Sequence, residues 1–168
     1  MRSIQSFVVT YDFSVHADAA LEMAMDLAER FDADLHLLHV VQPATYSYAG
    51  EYFPGGPLFD VHAQAEQRLN EIAADLFTPP KRVEAHVVAG AGVPDTLDAQ
   101  AGQLGADLIV MGTHGRTGLA HVVYGSVAER TLRRAPCPVL TVPLPKQPAE
   151  VGTPIRNPLA SSAVSESF

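Results

Sequence analysis

Gly112-Thr113-His114-Gly115 stands nine residues ahead of Gly125-Ser126, a spacing of small and hydroxyl residues suited to an anion. An apolar run, Asp107-Leu108-Ile109-Val110-Met111, leads into the first glycine, and a helical stretch runs from Ser126 to Arg134. Glycine at the carboxyl end of a strand lets a ligand approach the backbone without meeting a side chain. The start of a helix offers N–H groups without partners in their own helix, together with the positive end of the dipole. Facing each other, the two ends would clamp the phosphate tail of a nucleotide. One dipole contributes only about 0.3–1 kcal/mol toward an anion, so several N–H contacts must act together. Arg116 follows the glycine pair as a candidate cation, and His114 lies within the loop as a possible phosphate contact.

Other polar residues divide between chemistry and architecture. Asp12 follows a strand-like run and serves either as a turn former or, from the same sheet edge, as a ligand or Mg-linked carboxylate. His36 and His39, three apart on a strand, point to opposite faces and cannot share a metal; no metal site is expected. Cys137 is the only cysteine and sits between two prolines, so no intramolecular disulfide forms. Arg133 and Arg134 close a helix, where the dipole already favours them. The chain has no G-x-x-x-x-G-K-[S/T] loop, whose lysine pairs with a transferring phosphate.

These residues need a scaffold, and the apolar pattern supplies one. Strand-like runs at 6–11, 35–41, 82–89, 107–111 and 139–142 alternate with helical periods. The first helix shows Ala17, Leu21, Ala24, Ala28 and Phe31 on one stripe, with Ser14 as its N-cap; the second shows Val61, Ala65, Leu69, Ile72 and Leu76. A third, from Asp95 to Leu104, turns Leu97, Ala101 and Leu104 inward. Alternation of this kind predicts an α/β fold: a doubly wound, Rossmann-like parallel sheet with helices on both faces. Ligands of such sheets bind beyond the carboxyl ends of the strands, where the glycine loop lies.

Composition narrows the partners. The 168 residues fit one domain over 1–145, with a Pro/Ser-rich tail over 146–168 read as flexible. Net charge is −8, which disfavours nucleic acid and obliges local groups to outweigh the global field around an anionic ligand. No apolar run approaches the roughly 20 residues of a membrane span, and no signal peptide opens the chain, so a cytoplasmic location is expected. Residues 42–60 hold three of the five tyrosines and read as either a lid over a base or an assembly surface.

The G-x-x-G, nine residues, G-S signature resembles that of the ATP-binding universal stress protein family. Tyr11-Asp12-Phe13-Ser14 after strand one, Leu37-Leu38-His39-Val40 in strand two and Pro136-Cys137-Pro138-Val139 into strand five extend the likeness across about 4–143. The resemblance implies a five-stranded sheet in the order 3-2-1-4-5 and a homodimer through its last strand, here Val139 to Val142. It also implies ATP as cofactor, with Mg near Asp12. Asp12 would approach the ribose and phosphates, and the backbone of Val40 would read the adenine edge. Met111 and Gly112 would line the floor, Gly115 would admit the phosphates, and Gly125, Ser126 and Val127 would close on them. Tyr11 stands where many relatives differ, and is expected to narrow the mouth or stack on the base.

Three functions fit. The first is a nucleotide-sensing regulatory dimer with an unknown protein partner. The second is a weak ATPase or phosphoryl-transfer enzyme. The third is a scaffold of the same fold that binds no nucleotide.

Overall fold

A computed structural model of the protein describes residues 4–42, 58–76, 82–114 and 125–144. Five strands, β1 (Ser6–Thr10), β2 (Asp34–Val41), β3 (Val83–Ala89), β4 (Leu108–Gly112) and β5 (Val139–Val142), form one parallel sheet. Four helices connect them: α1 (Val15–Phe31), α2 (Leu58–Ala74), α3 (Val93–Gln103) and α4 (Ser126–Arg134). The strand order is β3-β2-β1-β4-β5, as the resemblance implied.

Strand alternation distributes the apolar side chains between two layers. Phe7, Val9, Leu35, Leu37 and Val110 point to the side that α1 covers with Ala17, Ala20, Ala24 and Ala28, with Leu69 of α2 alongside. Val8, Leu38 and Ile109 point the other way, against Leu97 and Ala101 of α3. Small alanines on α1 allow the helix to lie close to the sheet, and nearly all of these side chains are fully shielded from solvent.

Local signals set the helix ends. Ser14 is the N-cap of α1, its hydroxyl accepting from the N–H of Ala17 at 3.3 Å. Asp32 closes the helix in the left-handed region at φ 52, its N–H returning to the carbonyl of Ala28. Helix α3 starts two residues before the expected Asp95, because Pro94 preorganises its first turn. Two expected core positions depart from the stripe. Phe31 is 49% exposed at the last turn of α1, meeting Phe7 only edge-on, and Val61 is 51% exposed where α2 emerges beside the strand ends. No helix among the described residues is long and apolar enough to cross a membrane. Residues 43–57 of the aromatic loop, Gly115, Arg116 and the 146–168 tail lie outside the described residues.

Candidate functional site

The site begins as a mismatch in strand length. Strand β1 pairs with β2 only as far as Thr10 opposite Leu38, and with β4 as far as Val9 opposite Val110. On either side the ladders run further, to Val41 opposite Ala89 and to Gly112 opposite Val142. The flanking strands therefore outrun β1 and leave a notch above its end, where the winding of the sheet reverses direction. A cavity of about 540 Å³ occupies this notch. Its floor is Thr10 to Asp12. One wall is Leu38 to Gln42 with Val61 and Val93, and the other is Met111 to His114 with Gly125 to Ala128 of α4.

Eight of the site residues expected from sequence line this one cavity: Tyr11, Asp12, Val40, Met111, Gly112, Gly125, Ser126 and Val127. Gly115 and Arg116 lie outside the described residues. The cavity also takes residues that no motif marked, notably Val61 from α2 and Val93 and Leu97 from α3. Position alone could have flagged Val41 and Gln42, which continue β2 past the end of its neighbour.

Tyr11 corrects an expectation. Its ring is 6% exposed and belongs to the α1-side core, so it neither narrows the mouth nor offers a face for stacking. The phenol donates to the Asp18 carboxylate of α1. Burial, followed by the hydrogen bond to Asp18 and then the Asp18 charge, holds the phenol above its ordinary pKa.

Asp12 acts as a turn former in this arrangement. Its Oδ1 accepts from the Ser14 backbone N–H at 3.1 Å and from the Ser14 hydroxyl at 2.5 Å. Phe13 between them adopts φ 63, a left-handed conformation costly for a bulky residue. Its ring is fixed from three sides, edge-on to Tyr11 at 5.5 Å, tilted on His39 at 4.7 Å and beneath the Arg68 guanidinium at 4.4 Å. His39 in turn donates from Nδ1 to the Tyr11 carbonyl at 2.6 Å. The floor of the notch is thus a braced, strained turn rather than a loose loop.

The opposite wall separates two roles for glycine. Gly112 is glycine because α1 crosses it closely: an added Cβ would stand 2.8 Å from the carbonyl oxygen of His16 and 2.9 Å from its Cβ. Gly125, not Ser126, is the N-cap of α4, and it supplies no side-chain cap to the helix. The Gly125 N–H donates to the Thr113 carbonyl at 2.8 Å, tying the two ends of the glycine loop together. The next N–H groups, of Ser126, Val127 and Ala128, belong to the first turn, where no intrahelical acceptor exists. His114 approaches from the loop, its Nδ1 3.0 Å from Thr113 Oγ1 and its ring 5.3 Å from that of His16.

Comparison with known proteins agrees with this architecture. Residues 3–143 match the model of the universal stress protein family. A universal stress protein of Methanocaldococcus jannaschii is 33% identical over 150 residues, 85% of this chain and 84% of its own. The solved structure of the hypothetical protein MJ0577 superposes with a TM-score of 0.76 at 25% identity, covering 87% of this chain and all of that one. A universal stress protein solved in complex with cAMP superposes at 0.54 with 28% identity, covering 84% and 98% of the two chains. With a family match across most of its length, the characteristic strand order and a notch at the sheet's switch point, the chain belongs to the universal stress protein family.

Proposed function

We propose that the protein is an ATP-binding regulatory protein whose notch above β1 holds an adenine nucleotide. The observation that carries this reading is the uncapped first turn of α4 facing a cavity of about 540 Å³, within the usual range for small-molecule sites. The phosphates lie against the N–H groups of Ser126 and Val127; the family resemblance adds Gly115 to their contacts, and the sequence adds Arg116 as a cation. The base lies against the backbone of Val40, on the stretch of β2 that β1 leaves unpaired. Met111 and Gly112 line the wall across from Val40, and Mg accompanies the phosphates near Asp12. The structural relative bound to cAMP supports a nucleotide of the adenine class.

Isothermal titration with ATP, AMP and cyclic AMP, each with and without Mg, tests the reading. The informative variant is Gly125→Asp. Gly125 has φ −64 and ψ 154, which any L-residue adopts, and aspartate is a favoured N-cap. Its carboxylate would occupy the amides that the phosphates need while stabilising the helix. ATP affinity is expected to fall at least about tenfold, which is about 1.4 kcal/mol, with the thermal midpoint unchanged or raised. Unaltered ATP affinity in a folded Gly125→Asp protein refutes the phosphate clamp.

The functional unit is a homodimer paired through β5. The carbonyls of Pro138 and Val142 accept from β4 and its extension, so the alternate residues, Val139 and Thr141, turn their backbone groups to the open edge. Thr141→Pro removes one outward donor without touching the β4 ladder. Sedimentation is expected to show a dimer for the native chain and a monomer for Thr141→Pro. A dimer of equal strength in the variant excludes pairing along this edge.

A further inference from the structure

A second cluster of ligating side chains lies on the other half of the sheet, away from the notch. His36 of β2 pairs across the ladder with Glu84 of β3, and His86 stands two residues further along β3 on the same face. The three donor atoms form a compact triangle. His36 Nδ1 is 3.1 Å from His86 Nε2 and 3.5 Å from Glu84 Oε2, and His86 Nε2 is 3.6 Å from the same oxygen. Among the described residues this is the one group of three side chains placed to hold a metal ion.

The dimensions are those of a coordination face. Ligands about 2.0–2.1 Å from a tetrahedral ion stand roughly 3.3–3.4 Å apart, within the spread of the three distances here. Side-chain exposure rises from 12% at His36 through 25% at His86 to 38% at Glu84, so the triangle is backed by the sheet and opens toward solvent on the carboxylate side. A water can complete a fourth position there. The second oxygen of Glu84 forms an ion pair with Arg82 Nη1 at 3.2 Å, which orients the carboxylate in the way outer-shell partners orient metal ligands. Two imidazoles and one carboxylate suit zinc and its transition-metal neighbours rather than magnesium or calcium.

From this geometry we propose that His36, Glu84 and His86 form a divalent transition-metal site, with zinc as its natural occupant and water as the fourth ligand. Without metal, one proton lies between His36 Nδ1 and His86 Nε2, donated by one ring to the other. Metal entry sends that proton to solvent and takes one lone pair from each ring. The ion would fasten the edge strand β3 to β2 about 13 Å, four residues at 3.3 Å each, from Val40 along the strand. The site stands whether or not the notch binds a nucleotide.

The full-length chain, stripped with chelator, is titrated with Zn²⁺ alone by calorimetry and with Co²⁺ alone by visible absorption. One zinc per chain at micromolar affinity or tighter is expected, with the intense d–d bands of a low-coordinate Co²⁺ site and a raised thermal midpoint. Outer-shell changes alone weaken metal sites by about 10–100-fold, so removing a ligand in His86→Gln should cost at least about 100-fold and abolish the cobalt bands. Glu84→Gln, at a half-exposed edge position, is the companion variant should His86→Gln unfold. It keeps the shape and should weaken zinc at least about tenfold. Native affinity in either folded variant, or zinc that binds the native chain only in the millimolar range, overturns the assignment. Zinc retained unchanged would locate it instead at pairs such as His62 and Glu66, whose nearest atoms stand 4.0 Å apart.

Discussion

The notch above β1 and the His36–Glu84–His86 triangle are built on the same strand, β2, yet they arise in opposite ways. The notch forms where pairing stops. Its residues sit at chain turns, so aspartate, glycine and serine punctuate the sequence around it at 12–14, 112–115 and 125–126. The triangle forms where pairing continues. His36 and His86 are 50 residues apart and meet only because β2 and β3 lie in one particular register. A one-residue slip of β3 would send Glu84 and His86 to the opposite face and dissolve the cluster. Sites at strand ends announce themselves locally, whereas sites on a ladder are properties of the register.

The largest effect that should separate the two regions comes from Gly112→Ala. The new methyl would stand within 3.0 Å of three atoms of His16, two of them backbone, so the first turn of α1 has to move. Overpacking of this kind costs about 1–3 kcal/mol, read as a lower midpoint in urea unfolding. The displaced turn carries the Ser14 cap and adjoins the braced Asp12 floor, so nucleotide titration should weaken in parallel. Zinc titration, reporting on β2 and β3 alone, should not change. A Gly112→Ala protein as stable as the native chain would show that α1 does not press on β4 there.

The same contrast explains how much the sequence disclosed. Alternating apolar runs and helical stripes placed the nine elements among the described residues, and Ser126 to Arg134 and Val139 to Val142 coincide with α4 and β5 to the residue. These elements were legible because each carries its own period or cap. Phe31 was misplaced because it stands on the last turn of α1, where it meets the Phe7 ring only edge-on and stays half exposed, which a period cannot show. Tyr11 was misplaced for a related reason. It follows β1 directly, and the two-residue alternation that puts Phe7 and Val9 under α1 puts Tyr11 there as well. Its adjacency to Asp12 suggested the mouth, but face parity decided the matter. Opposite faces for His36 and His39 followed from that parity too, and His39 indeed turns to Phe13 on the α1 side. What parity within one strand could not supply was the partner on the next strand, His86.

Tyr11→Phe sharpens the floor of the notch with a smaller effect. Removing the phenol deletes its hydrogen bond to Asp18, worth about 0.5–1.5 kcal/mol at neutral pH. The pH dependence carries a distinct signature. The folded chain holds the Tyr11 proton above the unfolded value of about 10, with burial as the first cause and Asp18 as the second. Its stabilising contribution is therefore complete below pH 10 and is lost as pH rises beyond it. Unfolding free energies compared between pH 7 and 11 should show the native chain approaching Tyr11→Phe at the alkaline end. Nucleotide affinity should be the same in both proteins, since the phenol faces α1. A weaker nucleotide complex in Tyr11→Phe would restore the ring to the binding surface.

The smallest effect concerns the pairs that border each region. Arg134 of α4 reaches Asp95 of α3 at 2.6 Å, joining the two helices beside the notch, and Arg82 reaches Glu84 beside the triangle. Arg134 and Asp95 are more than half exposed, so Arg134→Ala should cost about 0.2–1 kcal/mol, a loss that salt screening removes. Helix α4 is held in place mainly by buried Ala128 and Thr131, not by its arginine, so its first-turn amides should keep their position. ATP affinity should then change less than about twofold, well under the tenfold that 1.4 kcal/mol represents. The arginine at the triangle has a different task, because its partner is a proposed ligand rather than a surface carboxylate. Arg82→Ala should therefore leave stability nearly unchanged while weakening zinc by about tenfold or more, through a Glu84 that is no longer oriented. Equal and negligible effects of both substitutions, on stability and on their neighbouring ligands, would mean that the pairs are alike and that Glu84 is a surface acid like Asp95.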